Sequence, residues 1–258
     1  MNVNRGLKTL IIFTFFSVNF AFAQQKEYPI APKMSAEMTE VWLPQPEIVT
    51  TDDFDNKMVK APSDAIILYD GTSTNEWKKA KKDEKIEWIS EDGVLTILPK
   101  SGSIKTLREF GDCQLHIEWS VPEDTQGEGQ DRGNSGVLMQ ERYEIQILDN
   151  YNNETYANGQ AGSIYKQTAP LVNAMQKPGK WNVYDIIYTA PIFKDGKMVV
   201  NPNVTVIHNG VVIQNNTDIL GTTQYIGLPQ IEEHGRASIL LQDHRNPVMF
   251  RNIWIREL

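Results

Sequence analysis

The sequence predicts an all-β protein, built as a β-sandwich, on three observations. Apolar and polar residues alternate with period two in several short runs, most plainly in Cys113-Gln114-Leu115-His116-Ile117-Glu118-Trp119-Ser120-Val121. That is the pattern of a strand with one core face and one polar face. The runs are separated by turns rich in Gly, Pro and Asn. No long amphipathic helix and no repeat of solenoid period interrupts them.

Residues 1–23 read as an export signal. Arg5 and Lys8 give a positive start, the run from Leu10 to Phe22 is apolar apart from Thr14, Ser17 and Asn19, and Ala21-Phe22-Ala23 is a small-x-small cleavage site. The apolar run is short for a membrane span and polar residues break it. The expectation is a periplasmic or secreted protein, cleaved near Ala23 and without a membrane span after processing. Residues 24–63 carry Pro29, Pro32, Pro44, Pro46 and Pro62 among polar and acidic residues, which predicts an extended strap. Trp42 supplies an apolar anchor, so the strap is expected to dock rather than hang free.

The sandwich domain is expected over residues 64–258. Strands are expected at 65–69, 94–98, 113–121, 136–140, 144–148, 183–188, 204–208, 211–215, 237–242 and 249–256. Asn209-Gly210 joins two of them as a two-residue hairpin turn. Alternation assigns the faces: Ile145 and Ile147 point into the core, while Glu144 and Gln146 point to a polar, concave face. His116, Glu118 and Ser120 share another polar face, which alternation alone allows to be a cleft or plain solvent.

The chain has 258 residues, with 33 acidic and 25 basic, for a formal net charge of −8. That balance argues against nucleic-acid partners and anionic lipid, which need clustered cations. The single cysteine, Cys113, excludes an intramolecular disulfide framework and multi-cysteine zinc. Its place in an alternating run predicts a buried, inert thiol. No HExxH, Gly-x-Ser-x-Gly, P-loop or dinucleotide fingerprint is present, so no nucleotide cofactor and no Ser/His/Asp catalysis are expected.

Three segments carry candidate chemistry. Arg132-Gly133-Asn134-Ser135-Gly136 offers fixed donors for hydroxyls or a carbonyl, or is a hairpin loop whose Asn caps its own backbone. Tyr143-Glu144-Ile145-Gln146-Ile147-Leu148-Asp149 puts two acids and an amide on or at the end of one strand, as sandwich glycosidases do. Glu144 is a candidate acid or an outward solvated one. Asp149, an odd step from Glu144, must act from the strand end or a bulge, or be structural. Gln242-Asp243-His244 ends a strand, and His244 is either an acid/base group, a metal ligand or a turn-binding histidine.

In order along the chain, Leu68-Tyr69-Asp70-Gly71, Trp77, Glu118-Trp119, Arg132–Val137, Tyr143–Asp149, Gly159-Gln160-Ala161-Gly162-Ser163-Ile164-Tyr165, Gly179-Lys180-Trp181-Asn182, His208-Asn209-Gly210, Gln242-Asp243-His244 and Phe250–Ile255 form a set. From about Ala65 to Leu258 it resembles the 3-keto-disaccharide hydrolase family, also called the 3-keto-glucoside 1,2-lyase/3-keto-2-hydroxy-glucal hydratase domain. The resemblance implies a jelly roll of the concanavalin and laminin-G group. It also implies action on glycosides already oxidised at C3 by a separate oxidoreductase.

A C3 ketone acidifies the hydrogen on C2, so a base there can drive elimination of the C1 substituent, and water then adds to the enone. That chemistry needs a base near C2, a donor at the C3 oxygen and an acid at the leaving oxygen. Glu144 and His244 are the catalytic candidates, in either order. Arg132, Asn134, Gln146, Asp149 and Tyr165 are the substrate-binding candidates. Arg132, Glu144 and His244 are expected to converge on one pocket. A divalent metal could replace Arg132, with Glu144, Asp149 and His244 as ligands. The competing readings are a non-catalytic carbohydrate-binding sandwich, a structural or adhesive secreted domain, and a direct two-carboxylate hydrolase.

Overall fold

A computed structural model describes residues 33–55 and 57–258 of the chain. The export signal expected at residues 1–23 lies outside the described residues. In chain order the strands are β1 (Glu47–Ile48), β2 (Ile66–Tyr69), β3 (Trp77–Lys79), β4 (Ile89–Glu91), β5 (Val94–Thr96) and β6 (Ile104–Thr106). Then come β7 (Cys113–Ser120), β8 (Ser135–Met139), β9 (Tyr143–Ile147), β10 (Val172–Asn173), β11 (Asn182–Thr189) and β12 (Ile192–Lys194). The last are β13 (Lys197–Val200), β14 (Asn203–His208), β15 (Val211–Asp218), β16 (Leu240–Leu241) and β17 (Met249–Glu257).

Two sheets face each other as a jelly-roll sandwich of the concanavalin type. One has the order β15-β14-β11-β7-β17-β5-β4, with β2 also pairing β17, and the other has the order β3-β6-β16-β8-β9. Alternation decides what lies between them. From the larger sheet come Leu115, Ile117, Trp119, Ile186, Val206 and Phe250, and from the smaller Val137, Met139, Ile145, Ile147 and Leu241, all fully buried. Cys113 is in the same core, and burial pushes its thiol up to about 12.

Asn209 and Gly210 both take positive φ at the β14–β15 turn, as a type I′ hairpin requires. The expected strand at 237–242 is shortened to β16, with Ala237 held only by an isolated bridge to Phe110.

The polar face of β7 is neither cleft nor solvent. His116 and Glu118 are fully buried. His116 Nδ1 lies 2.7 Å from Asp185, and Glu118 accepts from Arg251 Nε at 2.6 Å and Asn252 Nδ2 at 2.8 Å. Burial opposes a charged His116, but the Asp185 and Glu118 carboxylates outweigh it and hold its pKa above the ordinary value. Arg251 Nη2 also donates to the carbonyls of Phe54 and Asp55, and Asn252 Nδ2 to that of Val59. The strap therefore covers this face through its own backbone.

Further back the strap lies along the segment 155–160. The Asn158 side chain accepts from Val41 N at 2.9 Å and donates to Thr39 O at 2.9 Å, and Trp42 meets Tyr156 edge-on. β1 pairs in parallel with β10.

Candidate active site

The outward face of the five-stranded sheet carries the candidate site. β8 and β9 pair so that Gly136 faces Gln146 and Leu138 faces Glu144. With Ile145 and Ile147 in the core, Glu144 and Gln146 stand on the opposite face, as alternation requires. β16 adds Leu240 opposite Leu138, and Gln242 just beyond it donates its N–H to Gly136 O at 3.0 Å.

β9 would be an open edge, but its backbone groups are taken. Gln146 N–H donates to Ser163 O, and the N–H groups of Gly162 and Tyr165 donate to the carbonyls of Gln146 and Glu144. Glu144 N–H donates to Thr223 Oγ1 at 3.0 Å. The segments around 162–165 and 222–225 are thereby held as walls above the sheet.

Between these walls lies a cleft of about 290 Å³, whose lining includes Asn134, Glu144, Gln146, Tyr165, Gln242 and His244. Thr223, Tyr225, Arg142, Glu141, Thr222 and Leu138 complete it. Five sequence candidates from four stretches of chain thus meet on one surface, with Gln242 from the same motif as His244.

Glu144 is 5% exposed, and among the described residues no side chain or backbone group hydrogen-bonds its carboxyl. Burial alone pushes its pKa up to about 8, so it keeps a proton at neutral pH. His244 sits at the exposed rim. Its position follows from Asp243, whose carboxylate accepts from Gly102 N at 2.9 Å and from Arg245 N at 2.8 Å. Tyr165 contacts the Tyr156 hydroxyl at 2.8 Å, and burial pushes its phenol up to about 12, so it enters the cleft as an O–H group.

Behind that wall Lys166 is buried, donating to Tyr225 O at 3.0 Å and to Ala36 O at 2.7 Å. The strap thus reaches the cleft wall through one ammonium.

Arg132 and Asp149 do not line the cleft, which corrects the expected convergence of Arg132 with Glu144 and His244. They meet each other instead: Arg132 Nε is 2.6 Å from Asp149 Oδ2, and Asp149 is fully buried. Burial raises the Asp149 pKa, against the opposing effects of Tyr151 N–H and Arg132. The physical reason is the odd spacing from Glu144 together with the strand ending at Ile147, which turns Asp149 beneath the loop. The pair holds the segment 129–134, from which Asn134 reaches the cleft and Gln130 backs it.

The cation in the cleft lining is Arg142, beside Thr223. It escaped the sequence reading because it sits in the tight turn between β8 and β9, and only the segment at 222–225 folds over it. The same separation removes Asp149 from the proposed metal set. Among the described residues no three His, Cys, Asp or Glu side chains gather as ligands, so the trio Glu144, Asp149 and His244 does not fit a metal.

His208 and His234 lie apart from the cleft. His208 is buried against Trp119 and Tyr184, and burial pushes its pKa down to about 3.

The model of the 3-keto-alpha-glucoside-1,2-lyase-like domain matches residues 64–256. The chain belongs to this family. Membership places it among carbohydrate-active enzymes that cleave glycosidic bonds.

The chain is similar to a solved candidate glycosyl hydrolase from Parabacteroides distasonis ATCC 8503. The two share 55% identity over 87% of this chain and 97% of the other, with a TM-score of 0.77. A second solved candidate glycosyl hydrolase from the same organism shares 19% identity over 78% of this chain and 99% of its own, with a TM-score of 0.56. A third shares 22% identity over 75% and 99%, with a TM-score of 0.51. These last two speak for the fold alone. No curated protein matches the chain.

Proposed function

We propose that the chain cleaves glycosides already oxidised to a ketone at C3, by elimination across C1 and C2 followed by hydration. The observation that carries this reading is Glu144, a buried carboxyl without a partner among the described residues, its pKa pushed up by burial to about 8, in one cleft with His244. A proton-holding carboxyl suits the protonation of a leaving oxygen, and an imidazole at the open rim suits removal of a carbon-bound proton.

In the first half, His244 takes the C2 proton and the electron pair moves onto the C3 oxygen. Tyr165 and Arg142 are the donors placed to stabilise that enolate. As the ketone re-forms, a C1=C2 double bond forms and the C1–O bond breaks, and the leaving oxygen takes the Glu144 proton. In the second half, Glu144, now a carboxylate, accepts a proton from water as its oxygen adds to C1. The His244 imidazolium returns its proton to C2. The products are the released alcohol or sugar and the free 3-keto sugar, with both groups restored.

The ketone is supplied by a separate C3-oxidising oxidoreductase, as the likeness to 3-keto-glucoside lyases implies. The basic start and apolar run of residues 1–23 support export to the periplasm or beyond. A mature amino terminus at Gln24 in the exported protein is the expected readout.

The decisive experiment compares a glucoside with its 3-keto derivative, with and without chelator. Cleavage of the keto form alone, with exchange of the C2 hydrogen into solvent, is expected. Comparable rates on both would favour direct two-carboxylate hydrolysis, for which Glu141 is the second acid in the cleft. Against that role, Lys105 Nζ holds both Glu141 oxygens, at 3.1 and 3.3 Å.

A further inference from the structure

The amide of Gln146 is oriented by a second amide that lies outside the cleft lining. Gln130 sits in a 3-10 turn, Gly129–Asp131. Asn153 pins that turn, accepting from Gly129 N at 2.7 Å and donating to Gly129 O at 3.0 Å. Gln130 Nε2 donates to Gly159 O at 3.0 Å and to Thr155 Oγ1 at 2.8 Å. A backbone carbonyl can only accept, so this end of Gln130 must be the nitrogen. Its other end, Oε1, then needs a donor, and Gln146 Nε2 supplies it at 3.0 Å. That bond fixes which end of Gln146 is the nitrogen and uses one of its two N–H groups, and its Oε1 is left buried with no partner among the described residues, on a residue 1% exposed. Gln242 Oε1, in the same lining, is likewise buried and unpartnered. Two orphaned acceptors in one cleft carry a free-energy cost that a ligand donor would relieve.

We infer that Gln146, oriented by Gln130 as its positioning residue, presents an acceptor oxygen that selects a sugar hydroxyl and excludes a carbonyl or ether oxygen from that place. This rests on the proposed glycoside reading and deepens it by fixing how the sugar lies. The C3 ketone oxygen has no proton to donate, so it cannot face Gln146. It faces the donors of the cleft, Tyr165 and Arg142, and one of the remaining ring hydroxyls donates to Gln146.

The test uses the full chain and a set of methyl 3-keto-glucosides altered at one hydroxyl at a time, as the deoxy and the O-methyl form. At one position both forms should lose about 10²-fold or more in kcat/KM, because a site built to bond a hydroxyl rejects analogues lacking its proton. A donor wall would still accept the deoxy form's loss but would tolerate the O-methyl oxygen. Gln130→Leu frees the Gln146 amide to turn, so the gap between hydroxyl and O-methyl substrates should narrow about tenfold or more, with Gln146→Met abolishing it.

A loss in Gln130→Leu that is equal for every substrate would mean that Gln130 is merely structural and would overturn the inference. If no 3-keto-glucoside is turned over, the same hydroxyl preference must appear in Kd values for the unoxidised methyl glucoside set. That outcome rejects the elimination chemistry and keeps the acceptor wall, whereas no hydroxyl preference in either measurement rejects the wall.

Discussion

The Glu144 carboxyl occupies the space that a side chain at Gly136 would need. A β-carbon built on Gly136 meets Glu144 Oε1 and, at 3.0 Å, its Cδ and Cγ. Gly136 has ordinary strand φ, so the requirement for glycine comes from the neighbour across β8 and β9 and not from backbone strain. The smallest residue in the sheet thus makes room for the group proposed to hold the catalytic proton.

Gly136→Ala should therefore displace the carboxyl without breaking the sheet. The expected outcome is a fall in kcat of about 10²-fold, within the usual range for a misplaced acid–base group. Circular dichroism should remain that of the parent. Unchanged kcat on a 3-keto-glucoside would show that the carboxyl need not lie over Gly136.

Glu144→Gln keeps the shape and removes the titrating proton, so turnover should fall about 10²–10⁴-fold. Stability should move the other way. The native carboxyl titrates near 8, above the ordinary 4.5 of an unfolded glutamate. The native state therefore holds a proton that the unfolded chain has lost, and stability declines as pH rises from about 4.5 to about 8. Thermal melts across that window should show the decline in the parent and a flatter profile in Glu144→Gln.

Catalysis that uses the protonated form of Glu144 should fall on the alkaline side. In the free enzyme kcat/KM on a 3-keto-glucoside is expected to drop as pH rises through about 8. A profile rising through that range would assign Glu144 the role of base.

Arg132 and Asp149 should behave as a stability pair. Arg132→Ala strands a fully buried carboxylate, whereas Asp149→Ala leaves a guanidinium that is 21% exposed and can reach water. Arg132→Ala should be the more destabilising, by about 3 kcal/mol, the lower end for a broken buried pair. The gap should close in acid as Asp149 takes up a proton. Equal losses at all pH values would contradict the assignment.

His208→Ala, at a position the sequence places beside a hairpin turn, should cost stability and leave the chemistry alone. The ring is packed against Trp119 and accepts or donates at 3.0 Å with Asn182. Its pKa of about 3 means that the native state excludes a proton the unfolded chain binds below 6.5, so stability falls as pH drops between those values. His208→Ala should lower Tm and remove that share of the acid sensitivity, with kcat at permissive temperature near that of the parent.

The sandwich, the inward and outward faces of its clearest strands and the two outward residues of the site strand were legible in the sequence alone. Period-two alternation is local, so Glu144 and Gln146 were legible as outward and Ile145 and Ile147 as inward. Two further hairpins carry the same local signal: Asp92-Gly93 joins β4 to β5 and Asp195-Gly196 joins β12 to β13, each with the positive φ pair of a type I′ turn.

Which polar groups meet was set by the packing of distant segments. Alternation assigns His116 and Glu144 alike to polar faces, yet the strap closes over the first and leaves a cleft at the second. Arg132 and Arg142 are ten positions apart on either side of β8, and nothing in their spacing tells which is paired off beneath a loop and which enters the cleft. Strand alternation is a property of neighbours in sequence. Ion pairing, burial and the partner left missing at Gln146 depend on segments that lie far apart along the chain and meet only when the sheets close.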